Sequence, residues 1–339
     1  MFGNFLTDEL AIDLGTANTI IYHNDKIVVD EPSIVAIDKT TNKVIAVGKA
    51  AQMMHGKEHK HIETIRPLKD GVIADFQAAE EMIKGMIKMI IPNRGLFTRS
   101  LKMMVCIPSG ITEVEKRAVR DSAEHSGAKE VYMIHEPMAA ALGMGIDVEA
   151  PEGNMIIDIG GGTTEIAVIS LGGIVCDKSI RIAGDEFNAD IEEFVRRQHN
   201  LQIGERSAER LKIEVGAATV ELDNPPPDFP VRGRDTMSGL PKEVYVSYTE
   251  IAHCLEKSIS KIEEAIVTAL EMAPPELAAD IYQKGIYMAG GGSLLRGLDK
   301  RISLKTKLTV HVCEDPLRAV ARGTNIALKN HRKYKFIME

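Results

Sequence analysis

The sequence predicts an α/β protein built from two related halves, each with a small inserted subdomain. Three observations lead to this fold class. The chain has 339 residues, and a chain of this length usually folds around more than one hydrophobic core. Two stretches, LAIDLGTANTIIYHNDKIVVD from Leu10 and MIIDIGGGTTEIAVISLGGIVCD from Met155, show the same pattern when Asp13 is laid on Asp158. Strand-like and helical segments alternate after each of them, which is typical of α/β folds.

Each matching stretch predicts three strands joined by two turns. An aliphatic run is followed by D-x-G-x-x-x-T, a second aliphatic run, a tight turn and a third run. The tight turns are His23-Asn24-Asp25 and Leu171-Gly172-Gly173. A duplicated domain is the economical explanation for this repeated order.

Helix signals in the first half follow its three strands. Thr112 and Glu115 form a capping box before a helix that runs to about His125, and Gly127 ends it in the left-handed conformation. The segment VYMIHEPMAAALG then predicts a strand leading into a helix, with Pro137 at the first helical position.

The second half contains a long amphipathic helix and a third glycine-rich turn. Apolar residues recur there at three- and four-residue spacing, namely Leu255, Ile259, Ile262, Ile266 and Leu270. Pro274-Pro275 ends this helix. The following KGIYMAGGGSLLRGL predicts a strand that meets the turn Gly290-Gly291-Gly292-Ser293.

Two segments differ from this scheme and predict the inserted subdomains. Residues 30–69 contain VAIDKTTNKVIAVG, which predicts a hairpin with a polar tip. Residues 180–250 contain a helix, the segment GERSAERLKIEVG, a proline-rich loop and further strands. Subdomains set on each half would leave a cleft between the halves.

Composition excludes several classes of protein. The net charge of −8 argues against a general nucleic-acid binder, because such binding needs a basic surface. The four cysteines lie far apart with no C-x-x-C pair, so we expect small apolar residues in a reducing cytoplasm, not disulfides or a thiolate zinc site. No run of 18 apolar residues and no signal peptide is evident, so we expect a protein that neither spans a membrane nor is exported.

The glycine-rich turns suggest phosphate binding. Glycines at 160–162 let backbone N–H groups approach phosphate oxygens, and Thr163 and Thr164 add hydroxyl donors. A carboxylate does not suit direct contact with phosphate, so Asp13 and Asp158 are predicted to hold Mg²⁺ through its waters. The alternative is that the glycines only permit tight hairpins and the aspartates form turn hydrogen bonds. Neither a P-loop nor a G-x-G-x-x-G pattern is present.

The turns resemble those of a known superfamily. IDLGTANT, IDIGGGTTE and MAGGGSLLRG are similar to the two phosphate motifs and the adenosine motif of the actin, heat-shock chaperone and sugar-kinase ATPases. Within that group the chain resembles the MreB family of bacterial actins. The further matching segments, in chain order with the others from about residue 8 to 325, are DEPS, IRPLKDGVIADF, HEPMAAALG, IRIAGDEF, GERSAERLKIEVG and APPEL.

This resemblance implies an actin-like fold, with duplicated ribonuclease-H-like domains and four subdomains around a nucleotide cleft. The implied bounds are 1–29, 70–142 and 316–339 for subdomain IA, 30–69 for IB, 143–179 and 251–315 for IIA, and 180–250 for IIB.

The resemblance also assigns residues to ATP and its Mg²⁺. The first phosphate loop would comprise Asp13, Gly15, Thr16, Ala17 and Asn18, and the second Gly160, Gly161, Gly162 and Thr163. Glu209 and Lys212 would reach the ribose and base, and Gly290, Gly291, Gly292 and Ser293 would border the adenosine. Glu136 would orient the attacking water, and Asp158 would serve catalysis through the metal.

The implied function is a cytoskeletal ATPase. ATP binding would favour a filament, which the family resemblance implies is an antiparallel pair, and slow hydrolysis to ADP would weaken it. The filament would lie at the inner face of the cell membrane and guide wall synthesis and rod shape with proteins of cell elongation. The rival functions are a small-metabolite kinase and a chaperone-type ATPase, but we identify no acceptor pocket and no peptide-binding domain.

Two apolar segments are candidates for membrane contact. Phe2, Phe5 and Leu6 would share one face of an N-terminal helix, and Leu96-Phe97 lie in the loop PNRGLFTR. The alternative is that both are ordinary satellite core contacts. The N-terminus has no Lys or Arg before Asp8, so the electrostatic attraction typical of amphipathic anchors is missing.

The three histidines of HGKEHKH, His55, His59 and His61, suggest a metal hypothesis, since two of them lie four residues apart. No fourth ligand is evident, and exposed polar residues are far commoner in a small subdomain. We therefore favour a solvated surface there, and likewise for the basic tail KNHRKYKF.

Overall fold

A computed structural model describes residues 7–91 and 100–335. Within these ranges the chain forms two compact units. The first unit takes residues up to 151, residues 169–175 and residues from 317 onward, and the second takes 152–168 and 176–316. The bounds of the four subdomains remain a prediction.

The strands of the described ranges are, in chain order, β1 Thr7–Leu14, β2 Asn18–His23, β3 Lys26–Pro32, β4 Val35–Asp38, β5 Lys43–Val47, β6 Ile62–Ile65, β7 Leu68–Lys69, β8 Val72–Ile73, β9 Ser100–Ile107, β10 Glu130–His135, β11 Asn154–Ile159, β12 Thr164–Ser170, β13 Gly173–Ile180, β14 Leu201–Gln202, β15 Phe229–Asp235, β16 Pro241–Val246, β17 Ile286–Ala289 and β18 Val310–Val312.

The α-helices of the same ranges are α1 Lys49–Met54, α2 Phe76–Ile90, α3 Glu113–His125, α4 Glu136–Gly143, α5 Gly184–His199, α6 Glu205–Val215, α7 Tyr248–Met272, α8 Pro275–Lys284, α9 Leu298–Thr306 and α10 Ala319–Lys329. Two short 3-10 helices follow β17 and precede α10, at Gly291–Leu294 and Pro316–Arg318.

The same sheet occurs in both halves of the chain. One five-stranded sheet has the order β3-β2-β1-β9-β10, and the other has the order β13-β12-β11-β17-β18. In the first, β1 to β3 are antiparallel neighbours, while β9 and β10 run parallel to β1. In the second, β17 runs parallel to β11, and β18 runs parallel to β17. The prediction of two related α/β halves is confirmed.

The inserted segments form small sheets of their own. The sheet β5-β4-β6 begins after β3 in the chain. In the sheet β14-β15-β16, β14 lies between α5 and α6, and β15 and β16 follow α6. The β4–β5 hairpin is the one that the sequence predicts, and Asn42 near its tip has a positive φ of 52°.

Most predicted helix ends agree with the structure. Thr112 and Glu115 form both hydrogen bonds of the capping box of α3, and Gly127 after it has a φ of 102°. The predicted place of Pro137 is wrong by one residue, because α4 begins at Glu136 and Pro137 is its second residue. A proline is tolerated in either position, since neither N–H has a partner in the first turn.

Two separate cores stabilise the units. In the second, α7 buries Leu255, Ile259, Ile262 and Ile266 completely and packs Leu270 partly, as its spacing predicts. In the first, side chains of β1, β9 and β10 pack against those of α2 and α3. Among the described helices, none is both long enough and apolar enough to cross a membrane.

Candidate functional site

Three ionisable side chains of the first unit lie where parallel strands end. Asp13 is near the end of β1, Cys106 is near the end of β9, and Glu136 follows β10 directly. The register pairs Ile12 with Val105 and Ile134 with Cys106. Because the carboxyl ends of parallel strands meet at one edge of a sheet, these side chains converge there.

The carboxylate of Asp13 has an unusual environment. It is half-buried, and the Sγ–H of buried Cys106 donates to its Oδ1 at 3.2 Å. Burial raises the pKa of Asp13 to about 6, against a smaller lowering by the Cys106 hydrogen bond. Burial also raises the pKa of Cys106, and the charges of Asp13 and Glu136 add to this effect. The thiol therefore stays protonated and acts as the donor.

The raised pKa of Asp13 has a measurable consequence for stability. Below pH 4 the carboxyl is protonated in both the folded and the unfolded chain, so it costs nothing. Between pH 4 and 6 the folded state holds the proton more tightly, so stability falls as pH rises. Above pH 6 the ionised group destabilises the ligand-free fold by up to about 3 kcal/mol.

We therefore expect Asp13→Asn to stabilise the nucleotide-free and metal-free protein at pH 7 but not at pH 4. Urea unfolding of the two proteins across this range measures the difference. A difference that does not change with pH would contradict the assignment.

The turn Leu14–Asn18 between β1 and β2 is held by residues from outside it. The Oγ of Ser33 donates to the carbonyl of Gly15 at 2.6 Å, and the N–H of Ser33 donates to the carbonyl of Ala17 at 2.9 Å. The hydroxyl of Thr16 accepts the N–H of Gly71 at 3.0 Å. A Cβ on Gly15 would come within 2.6 Å of the carbonyl oxygen of Asn18, so only glycine fits there. These contacts hold the turn in the observed conformation.

The matching turn in the second unit is held by the first residues of α5. Gly160 closes the turn by donating to the carbonyl of Thr163 at 2.9 Å. The N–H groups of Gly184 and Asp185 donate to the carbonyls of Gly160 at 3.2 Å and Gly161 at 2.8 Å. In a planar trans peptide the next N–H points the opposite way, so those of Gly161 and Gly162 face away from α5. Two adjacent N–H groups with this direction suit an anion.

Helix α6 brings its predicted residues to the same region of the second unit. The Nζ of Lys212 donates to the carbonyl of Gly184 at 2.8 Å. A Cβ on Gly184 would lie 3.2 Å from that Nζ and 3.3 Å from the carbonyl oxygen of Gly160. Glu209 lies on α6, close to one turn before Lys212, and is half-buried. The glycine turn, α5 and Lys212 therefore form one cluster.

The third glycine turn lies next to Asp158. The register pairs Asp158 with Ala289, and Gly290 follows with a φ of 79°. A Cβ on Gly290 would come within 2.3 Å of the carbonyl oxygen of Ile159 and 2.5 Å of Asp158 Oδ1. Ser293 Oγ donates to the Gly290 carbonyl at 2.7 Å, which closes the turn. Any side chain at 290 would push this turn away from Asp158.

The structure brings the predicted residues together within each unit. In the first unit, the charges of Asp13 and Glu136 both act on Cys106, and the turn Leu14–Asn18 follows Asp13 directly. In the second unit, the turns at 160–163 and 290–293 adjoin Asp158. The candidate membrane residues Phe2, Phe5, Leu6, Leu96 and Phe97 lie outside the described residues. The described residues bring no three His, Cys, Asp or Glu side chains into a metal-holding group.

The sequence patterns did not indicate three groups that contact the candidate site. They are Ser33, which bonds to the first turn, the thiol of Cys106, which donates to Asp13, and the start of α5, which bonds to the second turn. DEPS and IRIAGDEF contain Ser33 and Gly184, but neither pattern states which loop these residues touch. Cys106 is buried as expected, yet it also donates to Asp13.

The donors of these turns suit a magnesium nucleotide. Main-chain N–H groups and hydroxyls bind phosphate oxygens, and carboxylates hold Mg²⁺ directly or through water. A divalent cation nearby would favour the ionised form of Asp13, which burial alone disfavours. Asp13 in the first unit and Asp158 in the second each place a carboxylate beside a turn of this kind.

Two sheets of identical strand order, each with a carboxylate at the end of its first central strand, define an actin-like α/β protein. The family model for MreB/Mbl protein matches residues 7–336. The chain belongs to the MreB/Mbl family.

Individual proteins agree with this membership. Cell shape-determining protein Mbl of Bacillus subtilis is 47% identical over 326 residues, which cover 96% of this chain and 97% of that protein. Cell shape-determining protein MreB of Escherichia coli is 45% identical over 333 residues, covering 97% and 95%. The crystal structure of MreB 5 of Spiroplasma citri bound to AMPPNP is 40% identical, covers 97% of this chain and 98% of that one, and has a TM-score of 0.91.

Proposed function

We propose that the chain binds ATP with Mg²⁺ and assembles into filaments that determine cell shape. The observation that supports nucleotide binding is the turn geometry repeated in the two halves. In each half, hydrogen bonds from another segment hold the main-chain carbonyls of the turn. A solved relative is bound to AMPPNP, an adenine nucleotide with a three-phosphorus chain. Two relatives that match nearly the whole chain are called cell shape-determining proteins.

The residues proposed for each part of the nucleotide follow the motifs. Asp13, Gly15, Thr16, Ala17 and Asn18, with Gly160, Gly161, Gly162 and Thr163, would hold the phosphates and the ion. Glu209 and Lys212 would reach the ribose and base, and Gly290, Gly291, Gly292 and Ser293 would border the adenosine. Lys212 would bring positive charge to the cluster around Gly160 and Gly184.

We further propose a slow hydrolysis step that weakens the filament. Phosphoryl transfer needs a positioned water and neutralised charge more than a protein nucleophile. Glu136 would orient that water from the first turn of α4, and Asp158 would act through the metal. Bound Mg²⁺ would supply neutralisation of the charge that develops on the phosphates.

The filament is proposed to lie at the inner face of the cell membrane as an antiparallel pair, working with proteins of cell elongation and wall synthesis. Leu96 and Phe97, with the N-terminal Phe2, Phe5 and Leu6, would provide the membrane contact. Burial of one Leu or Phe contributes roughly 1.5–3 kcal/mol, too little to hold one monomer firmly. A filament that repeats the contact gains avidity, so membrane binding should depend on assembly.

Electron microscopy and sedimentation with Mg-ATP and anionic liposomes test this function. We expect double filaments on the lipid. When nucleotide is omitted or EDTA is added, we expect no protein in the liposome pellet. Soluble monomers that phosphorylate a small molecule would reject the cytoskeletal function and favour the kinase alternative.

A double substitution tests the proposed membrane contact separately from filament assembly. Changing Leu96 and Phe97 to serine should abolish co-sedimentation with liposomes while filaments still form in solution, because the lost burial is multiplied along the polymer. Unchanged co-sedimentation would reject a role for this loop.

A further inference from the structure

We infer that Ser33 is a positioning residue that aims the N–H groups of Thr16 and Asn18 at the phosphate oxygens of the nucleotide. This inference rests on the proposed function, since it concerns the same site. Ser33 lies between β3 and β4, at the entry to the inserted sheet, and the residue is almost completely buried, with 1% of its surface exposed.

Ser33 uses its hydroxyl and its main chain on the same turn. The Oγ donates to the Gly15 carbonyl at 2.6 Å, and the N–H donates to the Ala17 carbonyl at 2.9 Å. Thr19 Oγ1 lies 2.9 Å from Ser33 Oγ. A serine hydroxyl has one proton, and here Gly15 accepts it, so the Thr19 hydroxyl is the donor to Ser33. This second bond fixes the direction in which Ser33 donates.

The direction of two carbonyls decides the direction of two amides. Because the peptide unit is planar and trans, the N–H of Thr16 points opposite to the Gly15 carbonyl, and the N–H of Asn18 points opposite to the Ala17 carbonyl. Both N–H groups therefore face away from Ser33. If the Gly15 carbonyl turned toward the ligand instead, its negative end would meet phosphate and the Thr16 donor would be lost.

The second unit performs this task with main-chain donors of α5, at Gly184 and Asp185. Among single substitutions, only proline would remove one of those donors, and it would also constrain the backbone at the start of α5. In the first unit, the Gly15 carbonyl is held by a side chain, so a single substitution can release it. Ser33 is thus the place where the direction of a phosphate-facing N–H can be tested by mutation.

The test compares ATP with adenosine, which has no phosphate. Ser33→Ala should weaken ATP binding about tenfold, the equivalent of about 1.4 kcal/mol, and leave adenosine binding unchanged. Competition against a fluorescent adenine nucleotide, with Mg²⁺ present, gives both dissociation constants. Ser33→Thr retains the hydroxyl and should restore most of the ATP affinity.

Ser126→Ala is the matched control. Ser126 is also a buried serine whose Oγ donates to a main-chain carbonyl, that of Ser122 at 2.7 Å, but it ends α3 and lies in no phosphate turn. Its loss should change stability without a preference for ATP over adenosine. Thermal melting shows whether each variant is folded, and Ser33→Cys, a weaker donor of similar size, replaces Ser33→Ala if that variant is not.

The outcomes separate this inference from the function on which it rests. A wild-type protein that binds neither ATP nor adenosine overturns the proposed function. A wild-type protein that binds ATP, with Ser33→Ala binding ATP equally well or losing ATP and adenosine affinity to the same extent, overturns only the role of Ser33.

Discussion

Replacing Gly323 with alanine should lower the free energy of unfolding by about 3 kcal/mol. A Cβ at this position would lie 1.7 Å from the carbonyl oxygen of Ala139 and 2.8 Å from the nitrogen of Gly143. Both are main-chain atoms of α4, so no rotation of a side chain relieves the overlap. The helices α4 and α10 would have to move apart, and each would lose packing contacts with its buried neighbours.

The crossing of α4 and α10 is equally close from the other side. A Cβ on Gly143 would lie 1.9 Å from the carbonyl oxygen of Ala319, and Arg322 Nε donates to the Gly143 carbonyl at 2.6 Å. Gly143→Ala should therefore destabilise the protein as much as Gly323→Ala. Helix α4 begins at Glu136, so either substitution should also slow ATP hydrolysis by displacing that carboxylate.

Urea unfolding at neutral pH measures this effect, with Gly204→Ala as the control. Gly204 has a φ of −104°, and a Cβ there would meet no heavy atom of the described residues within 4 Å. Gly204 is the N-cap of α6, where glycine is preferred to alanine, so the control should cost at most about 1 kcal/mol. If Gly323→Ala were equally mild, the close approach of the two helices would be wrong.

Replacing Glu136 with glutamine should slow ATP hydrolysis about 100-fold and leave ATP affinity unchanged. The substitution keeps the size of the side chain and removes its charge, so the water loses a strong hydrogen-bond acceptor. Glu136 is the first residue of α4, and its charge helps to raise the pKa of Cys106, which itself donates to Asp13. The carboxylate thus lies on the side of the sheet where the phosphates are proposed to bind.

Single-turnover hydrolysis, with ATP affinity measured in parallel, tests the role of Glu136. Glu130→Gln is a matched control, because Glu130 begins β10, the strand that leads to Glu136, and its carboxylate accepts the hydroxyl of Tyr132 at 3.1 Å. Filaments of Glu136→Gln should persist longer after ATP addition. Equal hydrolysis by the wild type and Glu136→Gln would remove Glu136 from the mechanism.

Local patterns predicted the individual elements well. The capping box of Thr112 and Glu115 places the start of α3, because its two hydrogen bonds join residues three apart. The spacing from Leu255 to Leu270 predicts both the existence and the buried face of α7. These predictions succeed because the interactions that decide them lie within a few residues along the chain.

The sequence could not predict contacts between distant segments. Cys106 looked like an ordinary core residue, and only the parallel pairing of β1 with β9 brings its thiol to Asp13. Gly323 carries no turn signal and lies inside a helix, where glycine is unfavourable. The reason for this glycine is apparent only from the tertiary structure, in which α4 packs directly against it.

The sequence by itself determined that the chain has two related α/β halves, with a carboxylate and a glycine-rich turn after the first strand of each. Strand periodicity and the positions of glycines are local signals, so they can be recognised in the sequence alone. The tertiary structure decided which way the turns face. Ser33 and α5 hold the carbonyls of the two turns, and a hydrogen bond between segments remote in sequence depends on how the chain folds back on itself.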